Sequence, residues 1–118
     1  MTRSNNNQEG LFDEYAYDWW NKSGNYKLLH KLNPLRLEYI LSKLEIKNKK
    51  ILDIGCGGGI LSEELSKMGA KVTGVDSSKK SINIAKKHAK EQDLEIEYIN
   101  GSILDLSLIH ISEPTRPI

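Results

Sequence analysis

The stretch Ile51-Leu-Asp-Ile-Gly-Cys-Gly-Gly-Gly59 constrains this chain more than any other. Residues Lys50 to Ile54 read as a short buried strand, and the glycine loop Gly55 to Gly59 turns the chain directly after it. Ile60 to Met68 then reads as a helix, with Ile60, Leu61, Leu65 and Met68 apolar and Gly69 just past its end. A strand that turns through bare backbone into a helix lets a flat or extended ligand approach the main chain closely. The helix amides beyond the loop suit an anionic group on that ligand.

Strand and helix continue to alternate downstream. Lys71 to Val75 is a second strand that ends at Asp76. Ser77 or Ser78 can cap a helix running to about Gln92, whose inner face is Ile82, Ala85 and Ala89. A third strand is expected from Leu94 to Ile99, where Leu94, Ile96 and Tyr98 alternate with Glu95 and Glu97. This β–α–β–α–β order predicts an α/β, Rossmann-like fold with parallel strands and right-handed crossovers. Upstream, residues 1–10 are polar and read as a disordered start, and residues 11–46 read as a helical arm. Phe12, Tyr15, Ala16 and Trp19 share one helical face, and Asn21 to Gly24 breaks that helix. A second helix is expected to begin near Asn33, with Asn33 as its cap and Pro34 at its first position. Its apolar stripe is Leu37, Ile40, Leu41 and Leu44.

Two ligand classes compete for the glycine loop. A dinucleotide site wants G-x-G-x-x-G, and counting from Gly55 the last glycine falls on Ile60, so an NAD-dependent oxidoreductase is disfavoured. A site for S-adenosylmethionine resembles D/E-x-G-x-G, which Asp53-Ile54-Gly55-Cys56-Gly57 matches. Asp53 can attract the cationic end of that ligand directly or through water. Asp76, about 20 residues beyond the loop at the end of the second strand, can accept hydrogen bonds from both ribose hydroxyls. Ser102, in the loop after the third strand, is placed to meet the adenine edge, with Ile103 packing on its face.

The arm and the loop together resemble the ubiquinone-biosynthesis O-methyltransferase family, over most of Phe12 to Leu106. The carrying residues are Trp19-Trp20-Asn-Lys-Ser-Gly-Asn-Tyr-Lys-Leu-Leu-His30, Asn33-Pro-Leu-Arg-Leu37, Gly55-Cys-Gly-Gly-Gly-Ile-Leu-Ser62 and Val72-Thr-Gly-Val-Asp76. The resemblance implies a class I methyltransferase fold. It also implies methyl transfer from S-adenosylmethionine to a catechol-type hydroxyl on a polyprenylated ring, and cofactor contacts from Arg36, Gly55 and Asp76. Arg36 has a physical argument of its own. In the first turn of the expected helix a cation meets the positive dipole end, at a cost of about 0.3–1 kcal/mol that a ligand carboxylate would offset.

The family continues into a fourth strand and a Glu-x-x-Glu-His segment that helps hold magnesium, and nothing here corresponds to it. The Rossmann-like part is therefore read as residues 47–106, truncated after about three parallel strands, with one edge of Lys50 to Ile54 unpaired. Residues 107–118, with Pro114 and Pro117, break the pattern and resemble translated sequencing-adapter DNA, so they are read as non-native and the chain as an incomplete, inactive enzyme. No catalytic residue is assigned. Two other readings stand beside this one: a methyltransferase of the same fold with another small-molecule acceptor, and a non-catalytic cofactor-binding or interaction fragment.

Composition excludes other classes. The formal net charge is +1, which gives no electrostatic reason to expect nucleic acid as a partner. No apolar run reaches the roughly 18 residues of a membrane span. The start lacks a signal core, and bacterial cytoplasm and mitochondrial matrix both fit. One cysteine, Cys56, rules out an internal disulfide and any Cys-rich zinc site. Trp19, Trp20, Tyr15, Tyr17 and Tyr26 are read as packing the arm rather than lining an isoprenoid pocket. His30 is read as a structural hydrogen-bonding residue and His88 as solvated. Lys79, Lys80, Lys86, Lys87 and Lys90 form a solvated helix face that is also compatible with peripheral contact to anionic lipid.

Overall fold

A computed structural model of the chain describes residues 16–102 and 115–118. Expectations placed on residues 1–15, on Ile103 and on His110 lie outside the described residues. The elements are a 3-10 turn at Ala16–Asp18, helix α1 (Lys27–Lys43), strand β1 (Lys50–Ile54), α2 (Ile60–Lys67), β2 (Lys71–Asp76), α3 (Lys79–Glu91), β3 (Glu97–Asn100) and β4 (Thr115–Pro117). The strands are all parallel and lie in the order β3-β2-β1-β4.

The register explains the sequence pattern. Ile51 pairs with Val72 and Gly74 with Tyr98, so Ile51, Val72 and Tyr98 share one face of the pleat. Ile51 and Val72 pack with Ile46, Leu61, Leu65 and Ala70. Tyr98 packs with Cys56, Ile82, Ala85 and Ala89 from the α3 side. Burying each large aliphatic side chain contributes about 1.5–3 kcal/mol. On the other face Thr73 Oγ1 donates to Glu97 Oε1 at 3.4 Å, which gives the outward glutamate of β3 a partner.

Three expectations need correction. First, α1 begins at Lys27 rather than near Asn33, so Pro34 lies inside the helix. Asn33 is buried and its side-chain amide donates to the Ile60 carbonyl at 3.3 Å. Contacts of the first turn override the local signal: Trp19 stacks on Tyr26 with centroids 3.8 Å apart, and His30 Nε2 lies 2.8 Å from the Trp19 carbonyl. Second, Leu37, Ile40 and Leu44 of the α1 stripe pack on the core, but Leu41 is turned outward and 38% exposed. Third, the far edge of β1 is paired. Lys50, Ile51 and Leu52 align with Thr115, Arg116 and Pro117, and the Ile118 amide donates to the Leu52 carbonyl at 2.6 Å. Proline is tolerated there because β4 is an edge strand. Among the described residues no helix is long and apolar enough to cross a membrane.

Candidate functional site

Strands β1 and β2 deliver Asp53 and Asp76 to the same end of the sheet. Their neighbours Ile54 and Val75 are paired in register, and the Val75 carbonyl accepts the amides of Gly55 at 2.7 Å and Cys56 at 3.0 Å. These two bonds pin the start of the glycine turn to the end of β2. The turn then needs left-handed backbone, with φ of 74° at Gly55 and 56° at Gly57, which glycine adopts without the penalty a Cβ brings.

The two glycines face different surroundings. A Cβ placed on Gly55 would meet no atom within 4 Å, so this stretch of backbone borders open space. A Cβ on Gly57 or Gly58 would overlap the Trp19 ring. The turn as a whole is expected to leave bare backbone for a ligand; at Gly57 the side where a Cβ would stand is covered by Trp19 of the arm, and the Gly57 amide donates to Asp76 Oδ1 at 3.0 Å.

Asp76 is half-buried and doubly anchored. Its Oδ2 accepts the Ser78 amide at 2.9 Å, an aspartate turn that leads into the Ser78 cap of α3. The Ser78 hydroxyl accepts the Ser81 amide at 3.2 Å. Asn100, from the end of β3, donates to the carbonyls of Asp76 and Ser77 at 3.1 Å each, and the Gly101 amide donates to the Asp76 carbonyl at 3.0 Å. Ser102 follows directly and is exposed at this rim.

Asp53 is only 3% exposed. Burial pushes its carboxyl above the ordinary aspartate range. A hydrogen bond from Ser62 and the charge of Arg36 work against that shift, and the charge of Asp76 adds to it. The Ser62 hydroxyl donates to Asp53 Oδ2 at 2.6 Å. Arg36 is exposed and lies in the interior of α1. The expected first-turn dipole argument therefore falls, because the helix starts earlier. What Arg36 brings is a positive charge felt by Asp53. The Cys56 thiol is pushed far up by burial and by the nearby Asp53 and Asp76 charges, so it is an inert packing group.

Several residues at this site carried no clear sequence signal. Trp19 donates its indole N–H to Ser81 Oγ at 2.8 Å, and Trp20 donates to the Gly58 carbonyl at 2.9 Å. His88, expected to be solvated, has a side chain only 23% exposed, and its Nδ1 lies 2.7 Å from Glu63 Oε2. Its spacing from Ala85 and Ala89 on the inner face of α3 was the available hint. Among the described residues there is no group of three His, Cys, Asp or Glu side chains able to hold a metal ion.

A family model described as a methyltransferase domain matches residues 51–112. A ubiquinone biosynthesis O-methyltransferase of Nitrosococcus oceani is 51% identical over 97 residues, covering 82% of this chain and 41% of that protein. One of Coxiella burnetii is 50% identical over 100 residues, covering 83% of this chain and 43% of that protein. The chain thus spans about two fifths of the length of these curated relatives. Among solved structures, a magnesium protoporphyrin IX methyltransferase from Synechocystis with bound SAM superposes with a TM-score of 0.65 at 19% identity, over 81% of this chain and 55% of the other. That likeness bears on the fold.

Proposed function

The chain belongs to the methyltransferase domain family, and we propose that it forms the donor-binding part of an S-adenosylmethionine-dependent O-methyltransferase acting on a polyprenylated catechol in ubiquinone biosynthesis. The names of the curated relatives support the acceptor class. The observation that carries the donor assignment is that adjacent strands bring two acids, Asp53 and Asp76, to the same end of the sheet, within electrostatic reach of each other and beside the open turn at Gly55.

When bound, S-adenosylmethionine supplies a methyl group on a sulfonium, open to in-line attack by a catechol oxygen. The residues of this chain bind and orient. Asp53 sits at the base of the crevice, where an ammonium group would favour its ionised form. Asp76 uses two of its roughly four lone-pair sites on backbone amides, leaving the others for a ribose diol. The fixed amides of Gly57 and Ser78 hold its carboxylate plane in place. Arg36 offers positive charge to a ligand carboxylate, and Ser102 stands on the adenine side. The space beside Gly55 admits the ligand, while Trp19 keeps water from the back of the turn, which strengthens each charge interaction.

We place the acceptor pocket, the base and any magnesium ligands in the remaining length of the full enzyme, and expect donor binding without turnover from residues 1–118. The exposed lysines of α3 offer a cationic face to the anionic lipid in which such an acceptor dissolves. Calorimetric titration tests the donor assignment: heat with S-adenosylmethionine and S-adenosylhomocysteine and none with NAD is expected. No heat with the first two, or preference for NAD, would overturn it. Methyl transfer to a polyprenyl catechol by the full-length enzyme tests the acceptor.

A further inference from the structure

Trp20, His88 and Glu63 come from three separate elements and meet at one point. Trp20 lies between the 3-10 turn and α1, and its indole donates to the Gly58 carbonyl in the glycine turn at 2.9 Å. Its ring stacks on His88 of α3 with centroids 3.7 Å apart and planes 3° from parallel. His30 of α1 meets the same ring edge-on at 5.5 Å. Behind His88, Nδ1 lies 2.7 Å from Glu63 Oε2 of α2. Glu63 is 1% exposed, and its Oε1 has no hydrogen-bond partner among the described residues.

We propose that Trp20, His88 and Glu63 form a latch that holds the N-terminal arm on the glycine turn, making Trp20 a positioning residue for the donor crevice. A buried carboxylate with one oxygen unpartnered needs a compensating charge or a proton. His88 supplies it at Oε2. When the imidazole carries a positive charge, it is also a cation stacked on the electron-rich face of an indole, a stronger contact than the neutral ring makes. Burial raises the Glu63 carboxyl, and the hydrogen bond and charge of His88 oppose that rise. The charged and titratable groups facing the pair are Lys22 from the arm, His30 from α1, Glu64 and Lys67 from α2, and Tyr98 from β3, which feels the Glu63 charge.

The latch matters because of its neighbour. Trp19 covers Gly57 and Gly58 and is tied to α3 through Ser81. Freeing Trp20 loosens the segment that carries Trp19, admits water to the turn and lets the Gly58 carbonyl reorient. Only the ligand-binding arm of the test below rests on the proposed donor.

Without ligand, the Trp20 indole N–H resonance of the full chain, identified by its loss in Trp20→Phe, is expected to shift in His88→Gln, which keeps a polar partner for Glu63 but removes the stacked ring. It is expected to lose protection from solvent exchange in the paired variant Glu63→Gln with His88→Ala. That pair removes the buried charge together with its partner, so the fold is spared, as far-ultraviolet circular dichroism would verify. With ligand, Trp20→Ala and the paired variant are each expected to weaken S-adenosylhomocysteine binding about ten-fold, equivalent to about 1.4 kcal/mol. Trp20→Phe, which keeps a stacking ring, recovers part of the loss. Unchanged affinity in both variants, or an indole signal indifferent to His88, overturns the latch. If the unmodified chain binds no S-adenosylhomocysteine, the donor assignment fails, and the ligand-free measurement still decides the latch.

Discussion

The carboxylate of Asp76 accepts the amide hydrogen of Gly57 at 3.0 Å, so the end of β2 and the middle of the glycine turn are one hydrogen-bonded unit. The same side chain also holds the Ser78 amide. Asp76 therefore shapes the turn before any ligand arrives.

Asp76→Ala removes both acceptors. The expected loss of unfolding free energy is about 1.5–3 kcal/mol, in the range of hydrogen bonds to charged groups, measured by urea denaturation. Asp76→Asn keeps the shape and one acceptor oxygen, so it is expected to lose less stability while still losing most S-adenosylhomocysteine binding by calorimetry.

Gly55 and Gly57 should respond oppositely to alanine. Gly55→Ala meets open space and bears only the left-handed backbone penalty of about 1–2 kcal/mol, yet it fills the proposed ligand path and should abolish binding. Gly57→Ala has the same backbone penalty and also drives a methyl into Trp19. Overpacking adds about 1–3 kcal/mol, so its thermal midpoint should fall clearly below that of Gly55→Ala.

Asp53 makes the ligand-free protein less stable as pH rises. Its carboxyl is held above the ordinary aspartate value by burial, so the folded state binds the proton more tightly than the unfolded state. That contribution is fully present below the ordinary value, fades as pH climbs through the raised one, and is flat above it. Asp53→Asn should therefore gain stability relative to the parent chain across that window and stay more stable at neutral pH, while losing donor affinity. Thermal unfolding followed from acid to neutral pH checks both the sign and the window.

Pro34 lies within α1, where it supplies no amide to the His30 carbonyl four residues back. Pro34→Ala is expected to raise the thermal midpoint, with a gain in unfolding free energy of up to the roughly 3 kcal/mol that separates the two residues in a helix interior. An unchanged or lower midpoint would mean that the ring itself packs productively beside Asn33.

What could be read from the sequence follows how local each feature is. The boundaries of β1 and the start of α2 depend on a short apolar run and a glycine turn, and they lie where the pattern puts them. Ser78 caps α3 through its own hydroxyl, a contact spanning three residues. The start of α1 was misread because Asn33-Pro34 imitates a helix beginning, and the stacking of Trp19 on Tyr26 has no periodic signature. The ties from Trp19 to Ser81 and from Trp20 to Gly58 join residues far apart in sequence, so only folding brings them together. Glu63 looks like any helix-surface acid until His88 is seen beside it. The placement of Asp53, Gly55 and Asp76 at one end of the sheet is legible in advance because strand ends and turn glycines mark themselves; the surroundings of Arg36, Gly57 and Ser102 are not.

Strand β1 has neighbours made at very different times. β2 follows it after a single helix, whereas β4 lies far downstream in the sequence. During synthesis one backbone edge of β1 stays without this hydrogen-bonding neighbour until Thr115–Pro117 has been made, and pairing across so long a sequence separation is slow. A nascent chain paused before Thr115 would expose an adhesive ribbon to its neighbours on the same message.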